Sequence, residues 1–272
     1  MSASPYPDGA SAPFGFVPIE ARRSTGKPRK RGLSMVIDDG LPLAYVESVL
    51  ELAAPYIDLM KIKTGTARLY PRELLRRKLE VYHRAQVKPF IGGQFHEYVF
   101  ATLGETALPR FYDDALALGF TTIEISDNTV PLTDAQRRDQ IANAVKAGLE
   151  VFGEVGSKET MSNPSLLVEQ ARICLDAGAS LVLVEAAELV DNGRVREATL
   201  DVIRRNLPLE RVMIELPGPW IAGVRSCDIE DMKKQVLAAF GPDVNIANIG
   251  VTTILDTEAL RVGLGTAGPL KG

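Results

Sequence analysis

From Gly32 onward the chain repeats one pattern, in which a short apolar run is followed by an amphipathic stretch of roughly 10–16 residues, as in a parallel sheet built from βα units. The apolar runs predict strands at 33–37, 57–61, 88–91, 121–125, 150–154, 181–185, 212–215 and 244–246. The stretches between them predict helices near 42–54, 71–86, 108–118, 133–147 and 164–177, with helical stretches behind the last three strands as well. Gly119, Gly148 and Gly178 follow three of these helices, where a left-handed residue ends a helix at least cost. The third run leads into Gly92-Gly93 and a long loop before its helix. Eight strand–helix pairs fit a closed (β/α)8 TIM barrel of the α/β class better than an open doubly wound sheet. No G-x-G-x-x-G or G-x-x-x-x-G-K-[ST] follows any strand, so a nicotinamide or P-loop nucleotide site has no support.

Composition adjusts this picture little. At 272 residues, 46% hydrophobic and 24% charged, the chain suits one barrel domain with a substantial core. Residues 1–25, rich in Pro, Ser, Gly and Ala, read as a flexible tail or a strap, and 26–272 as the catalytic barrel. No apolar run approaches the roughly 20 residues of a membrane span, and the N-terminus lacks a secretory core, so a cytoplasmic protein without a membrane partner is expected. Cys174 and Cys227 lack zinc-like spacing and read as free thiols. A net charge of −4 argues against nucleic acid as partner. The basic cluster Lys27, Arg29, Lys30 and Arg31 reads as a solvated entry segment that could also close over an anionic substrate. The apolar outer helices permit a homo-oligomer.

Ionisable residues recur where the predicted strands end: Asp38, Lys61, Glu97 after the glycines, Glu124 with Asp127, Glu154, Glu185 and Glu215. A barrel gathers its βα loops at one rim, so these residues converge there. Glu124, Glu154, Glu185 and Glu215 sit in otherwise apolar strands, where an unpaired charge costs several kcal/mol. They call for a cation, either the amines of Lys61 and Lys158 or a bound divalent metal, and an all-oxygen set suits Mg2+. With His83 in a predicted helix and His96 the one loop histidine, neither a histidine-rich zinc site nor a Ser-His-Asp triad can be assembled. Lys158, in Glu154-Val155-Gly156-Ser157-Lys158, can act as an acid or hold an anion, and the turns at Gly65-Thr66 and Gly92-Gly93 can add N–H donors.

Several segments together resemble the phosphosulfolactate synthase family. They are Gly32-Leu33-Ser34-Met35-Val36-Ile37-Asp38, Asp58-Leu59-Met60-Lys61 with Gly65-Thr66, Gly92-Gly93 with Glu97, Glu124-Ile125-Ser126-Asp127, Glu154 through Lys158, Glu185-Ala186, Gly241-Pro242 with Val244-Asn245, Asn248-Ile249, and Leu260-Arg261. The resemblance implies a Mg2+-dependent lyase that adds sulfite to the methylene carbon of phosphoenolpyruvate, at the start of a route to coenzyme M. It further implies Lys158, Lys61 and Glu154 as catalytic residues, with Asp38, Lys63, Gly65, Thr66, Gly92, Gly93, Glu97 and Asn248 contacting small anionic substrates. Asp127, Glu124, Glu185 and Glu215 would serve as metal ligands or their supports. The chain departs from the family pattern at Lys63-Thr64-Gly65-Thr66, Gly92-Gly93-Gln94-Phe95-His96-Glu97, Glu185-Ala186-Ala187-Glu188-Leu189 and Gly265, the last two replacing arginines. Lys63, Arg68 and Arg225 are the candidates to replace them. Two other readings stand beside the first: a related barrel enzyme using a different nucleophile or a different unsaturated acid, and a non-catalytic protein of the plant heat-stress type.

Overall fold

The computed structural model describes residues 12–156, 163–191 and 194–265. Eight parallel strands close into a barrel: β1 (Ser34–Asp38), β2 (Leu59–Ile62), β3 (Lys88–Ile91), β4 (Thr122–Ile125), β5 (Glu150–Val155), β6 (Leu181–Glu185), β7 (Val212–Glu215) and β8 (Asn245–Ile249). Each pairs with its neighbours in chain order, and β1 joins β8 to complete the ring, so the fold is a single (β/α)8 barrel. Around it run α1 (Leu43–Ala53), α2 (Arg72–Arg84), α3 (Gly93–Leu103), α4 (Leu108–Leu118), α5 (Asp134–Lys146), α6 (Pro164–Asp176), α7 (Glu197–Asn206), α8 (Ser226–Phe240) and α9 (Ile254–Arg261). Gly119, Gly148 and Gly178 carry the positive φ expected of them behind α4, α5 and α6. A capping box between Thr133 and Gln136 starts α5.

The strands alternate their side chains between two cores. Val36, Met60, Ile62, Ile123, Ile125, Val182, Val184 and Ile214 face outward into the layer shared with the helices. Met35, Leu59, Phe90, Phe152, Leu181, Leu183, Met213 and Ala247 fill the interior, where Phe90 and Phe152 meet edge to face at 5.1 Å. Two residues further along the same inward faces come Lys61, Glu154, Glu185 and Glu215. The inward columns of β2, β5, β6 and β7 are therefore apolar at the lower end and ionisable where the strand ends.

Two expectations need correction. The segment after Gly92-Gly93 is no loop, because Gly93–Leu103 forms α3, and His96 with Glu97 is buried in that helix. The basic cluster lies at the N-terminal end of the strands, away from the carboxylates. Arg29 Nε pairs with Asp58 at 3.1 Å, and Lys27 Nζ donates to the carbonyls of Ala54 and Ile57. Arg29, buried, and Lys27, half-buried, are spent there and close nothing over a substrate. The preceding segment is also anchored, since Arg23 Nε pairs with Glu258 at 2.8 Å and the Glu20 amide donates to the Val262 carbonyl.

Candidate active site

The inward columns place Lys61 among carboxylates. Its ammonium lies 2.9 Å from Glu124 Oε2 and 2.9 Å from Glu215 Oε1. Burial alone would push Lys61 down, but the attraction of Glu124, Glu215 and Glu154 prevails and raises its pKa well above the usual value. Lys61 therefore stays charged. Glu154, Glu185 and Glu215, all buried, each bring one oxygen within 4.8 Å of the others. Three hard oxygen donors at that separation could hold a metal ion, and among the described residues these are the ones that could do so.

Neighbouring amides orient the carboxylates. Asn128 Nδ2 donates to Glu154 Oε1 at 2.7 Å, Asn248 Nδ2 to Glu215 Oε1 at 2.8 Å, and the Gly93 amide to Glu124 Oε1 at 2.9 Å. Asn248 does so from a left-handed backbone, φ 60°, while its Nδ2 also reaches the Leu216 carbonyl. Ile37, Lys61, Lys63, Gly92, Gly93, Asn128, Trp220 and Asn248 line the pocket above them.

Other candidate residues have different surroundings. Asp38 falls on the outward phase of β1, so its Oδ2 meets the Lys78 ammonium at 2.5 Å and the Tyr82 hydroxyl at 2.7 Å, while Oδ1 accepts from the Gly40 and Leu41 amides. Saturated in that way between strand and helix, it does not reach the pocket as a substrate contact. Glu97 is likewise taken up: Ser126 Oγ, Thr129 Oγ1 and the amides of Asn128, Thr129 and Val130 all donate to it. These hydrogen bonds outweigh burial and hold its carboxyl below the usual range. Glu97 organises the loop that carries Asn128. Asp127 pairs with Arg137 Nη2 at 2.5 Å instead of joining the carboxylate group, and Arg137 Nη1 also donates to the Glu154 carbonyl. Gly65 and Thr66 shape the turn below Lys63, whose carbonyl accepts from Thr66 Oγ1 at 2.7 Å. Arg68 is exposed, and Arg225 is engaged by Asp228 at 2.8 Å, so neither stands in the pocket. Lys158 lies outside the described residues.

Asn128, Trp220, Arg137 and Ser126 went unrecognised in the sequence. Asn128 adjoins Asp127 and could have been found from that neighbour, whereas Trp220 sits in a Pro-Gly-Pro-Trp loop with no periodic signal.

The family model for (2R)-phospho-3-sulfolactate synthase matches residues 22–266. Phosphosulfolactate synthase of Methanothermobacter thermautotrophicus is 32% identical over 251 residues, 88% of this chain and 92% of that protein. Protein HEAT-STRESS-ASSOCIATED 32 of Arabidopsis thaliana is 22% identical over 269 residues, 86% of this chain and 87% of its own length. Among solved structures, the carboxyl transferase domain of Rhizobium etli pyruvate carboxylase superposes with a TM-score of 0.56 at 14% identity, covering 84% of this chain and 41% of that one, a likeness of fold alone. Among the described residues no helix is long and apolar enough to cross a membrane.

Proposed function

The chain belongs to the (2R)-phospho-3-sulfolactate synthase family, and on that premise we propose that it adds sulfite to the methylene carbon of phosphoenolpyruvate with the help of Mg2+. The carrying observation is the convergence of buried Glu154, Glu185 and Glu215 at the C-terminal ends of three barrel strands, inside the matched region. In the reaction the sulfur lone pair forms a bond to the methylene carbon. The π pair moves toward the carboxylate as an enediolate, and a proton then reaches the carbon bearing the phosphate. Glu154, Glu185 and Glu215 are the residues that would hold the Mg2+ ion, which when bound would supply positive charge to stabilise a developing enediolate.

Lys61 fixes the orientation of Glu124 and Glu215, and Asn128 and Asn248 do the same for Glu154 and Glu215. Pre-aligned groups of this kind avoid reorganisation when charge shifts. Lys158, assigned from the family resemblance, is the acid in this reading. Its ammonium gives a proton to the carbon and regains one from bisulfite or solvent.

Incubation with phosphoenolpyruvate, sulfite and Mg2+, followed by phosphorus NMR and mass spectrometry, should yield a phosphosulfolactate that Lys158→Ala does not make. Absence of that product from the wild-type protein, with Mg2+ bound, would overturn the substrate assignment and favour another unsaturated acid.

A further inference from the structure

We infer that Lys63 is the phosphate-binding cation of this pocket and that Trp220 parks it at the rim until the anion arrives, an inference that rests on a phosphorylated acid being the substrate. Among the described residues the lining is otherwise poorly suited to an anion. Glu124, Glu154 and Glu215 face it, and the charge of Lys61 is already shared between two of them. Among the described residues lining the pocket, Lys63 is the other cation.

Strand periodicity puts it in the right layer. Its amide donates to the Asp38 carbonyl at 3.0 Å, continuing the line of β2. Residues 61 and 63 share the inward face, so Lys63 stands about 7 Å nearer the mouth than Lys61. Of the substrate's two anionic ends, the phosphoryl group carries the larger charge and costs more to desolvate. It belongs at this open level, with the reacting carboxylate end toward the glutamates.

The contact with Trp220 explains how Lys63 is held. Its Nζ lies 3.4 Å from the ring centroid. The ring is in turn folded against Gly218, where a Cβ would come within 2.1 Å of Trp220 Cη2, so only glycine admits this packing. A cation on an aromatic face keeps its full charge, and the contact is weaker than charge-assisted hydrogen bonds to phosphate oxygens. An arriving phosphate therefore draws the ammonium off the ring.

The protein has one tryptophan, so emission excited at the red edge reports Trp220 alone. Titrating the wild-type protein with inorganic phosphate, and in a second arm with phosphoenolpyruvate, should change that emission saturably, while pyruvate should not. Lys63→Met should abolish the phosphate response and raise KM for phosphoenolpyruvate at least about tenfold, with a smaller change in kcat, and Lys63→Arg should recover most of both. An unchanged KM in Lys63→Met, a phosphate response that survives the substitution, a wild-type emission that phosphate leaves unchanged, or a pyruvate response equal to that of phosphate would overturn the assignment. Product formation is scored separately. A wild-type protein that makes no phosphosulfolactate yet responds to phosphate through Lys63 fails the reaction and keeps the anion site.

Discussion

Lys61 and His96 show two opposite uses of burial. With its folded pKa above the unfolded 10.5, Lys61 contributes stability that is fully present below pH 10.5 and lost only as the pH rises through the folded value. Between pH 6 and 9 that contribution is constant. Lys61→Met removes the ammonium that lies between Glu124 and Glu215, and should lower unfolding stability by about 3–5 kcal/mol at neutral pH, measured by chemical denaturation. His96 behaves the other way. Burial pushes it down to about 4, against a smaller upward pull from Glu97. As the pH falls from 6.5 toward 4, the unfolded chain takes up this proton before the folded one, so stability drops by about 3 kcal/mol across that window. His96→Leu should remove that slope while losing the contact with the Tyr112 hydroxyl, and an unchanged pH dependence would refute the assignment. Lys61, Glu154, Glu185 and Glu215 could be picked out in the sequence because each ends an apolar run. Asp38 and Asp127 look the same there. What separates them is the outward phase of Asp38 and the presence of Lys78, Tyr82 and Arg137 on helices whose facing sides the sequence does not state.

Among the elements, α3 and the loop at 126–130 act as one unit. Gly93 opens the helix with its Cα so close to β4 that a Cβ would meet Ser126 Oγ at 2.1 Å and Glu124 Oε1 at 2.9 Å. Glu97, one turn on, takes the loop's amides. Gly93→Ala should therefore push the loop and Glu124 apart. Overpacking of this kind costs about 1–3 kcal/mol, and a displacement near 1 Å at the site lowers kcat/KM by about 100-fold. Glu97→Gln keeps the size but presents an NH2 to donors, and should lower kcat/KM while α3 stays folded by circular dichroism. Full activity in both variants would show that the loop does not position Asn128. The strands and the eight outer helices could be read from periodicity, and the glycine stops even marked helix ends. The helix at 93–103 could not, because it opens on two poor helix formers and has a weakly amphipathic pattern. Contact with β4 and with Phe111 holds it, through Phe95 and His96.

The whole molecule divides its charges between two ends with different work. At the C-terminal end of the strands the carboxylates converge around Lys61 and the pocket. At the N-terminal end Arg23, Arg29 and Arg261 tie the chain's entry to its last helix and to the strand starts. Repetition made the barrel readable from one dimension, but this lower clasp was not, since Arg23 and Glu258 stand 235 positions apart and share no motif. Arg23 also donates to the Gly32 carbonyl and to Asp243, and Arg261 is buried deeply enough that its pKa falls to about 9. Arg23→Ala removes the 2.8 Å partner of the Glu258 carboxylate under the barrel, together with the bonds to the Gly32 carbonyl and Asp243, and should cost about 3–5 kcal/mol of unfolding stability. Because the break lies at the end opposite the pocket, kcat/KM measured well below the unfolding transition should match that of the unmodified protein. Gly93→Ala is the counterpart, with a modest stability loss and a large catalytic one. If Arg23→Ala instead lost activity in proportion to stability while still fully folded, the two ends would have to be coupled through the strands, and the lower clasp would belong to the catalytic machinery.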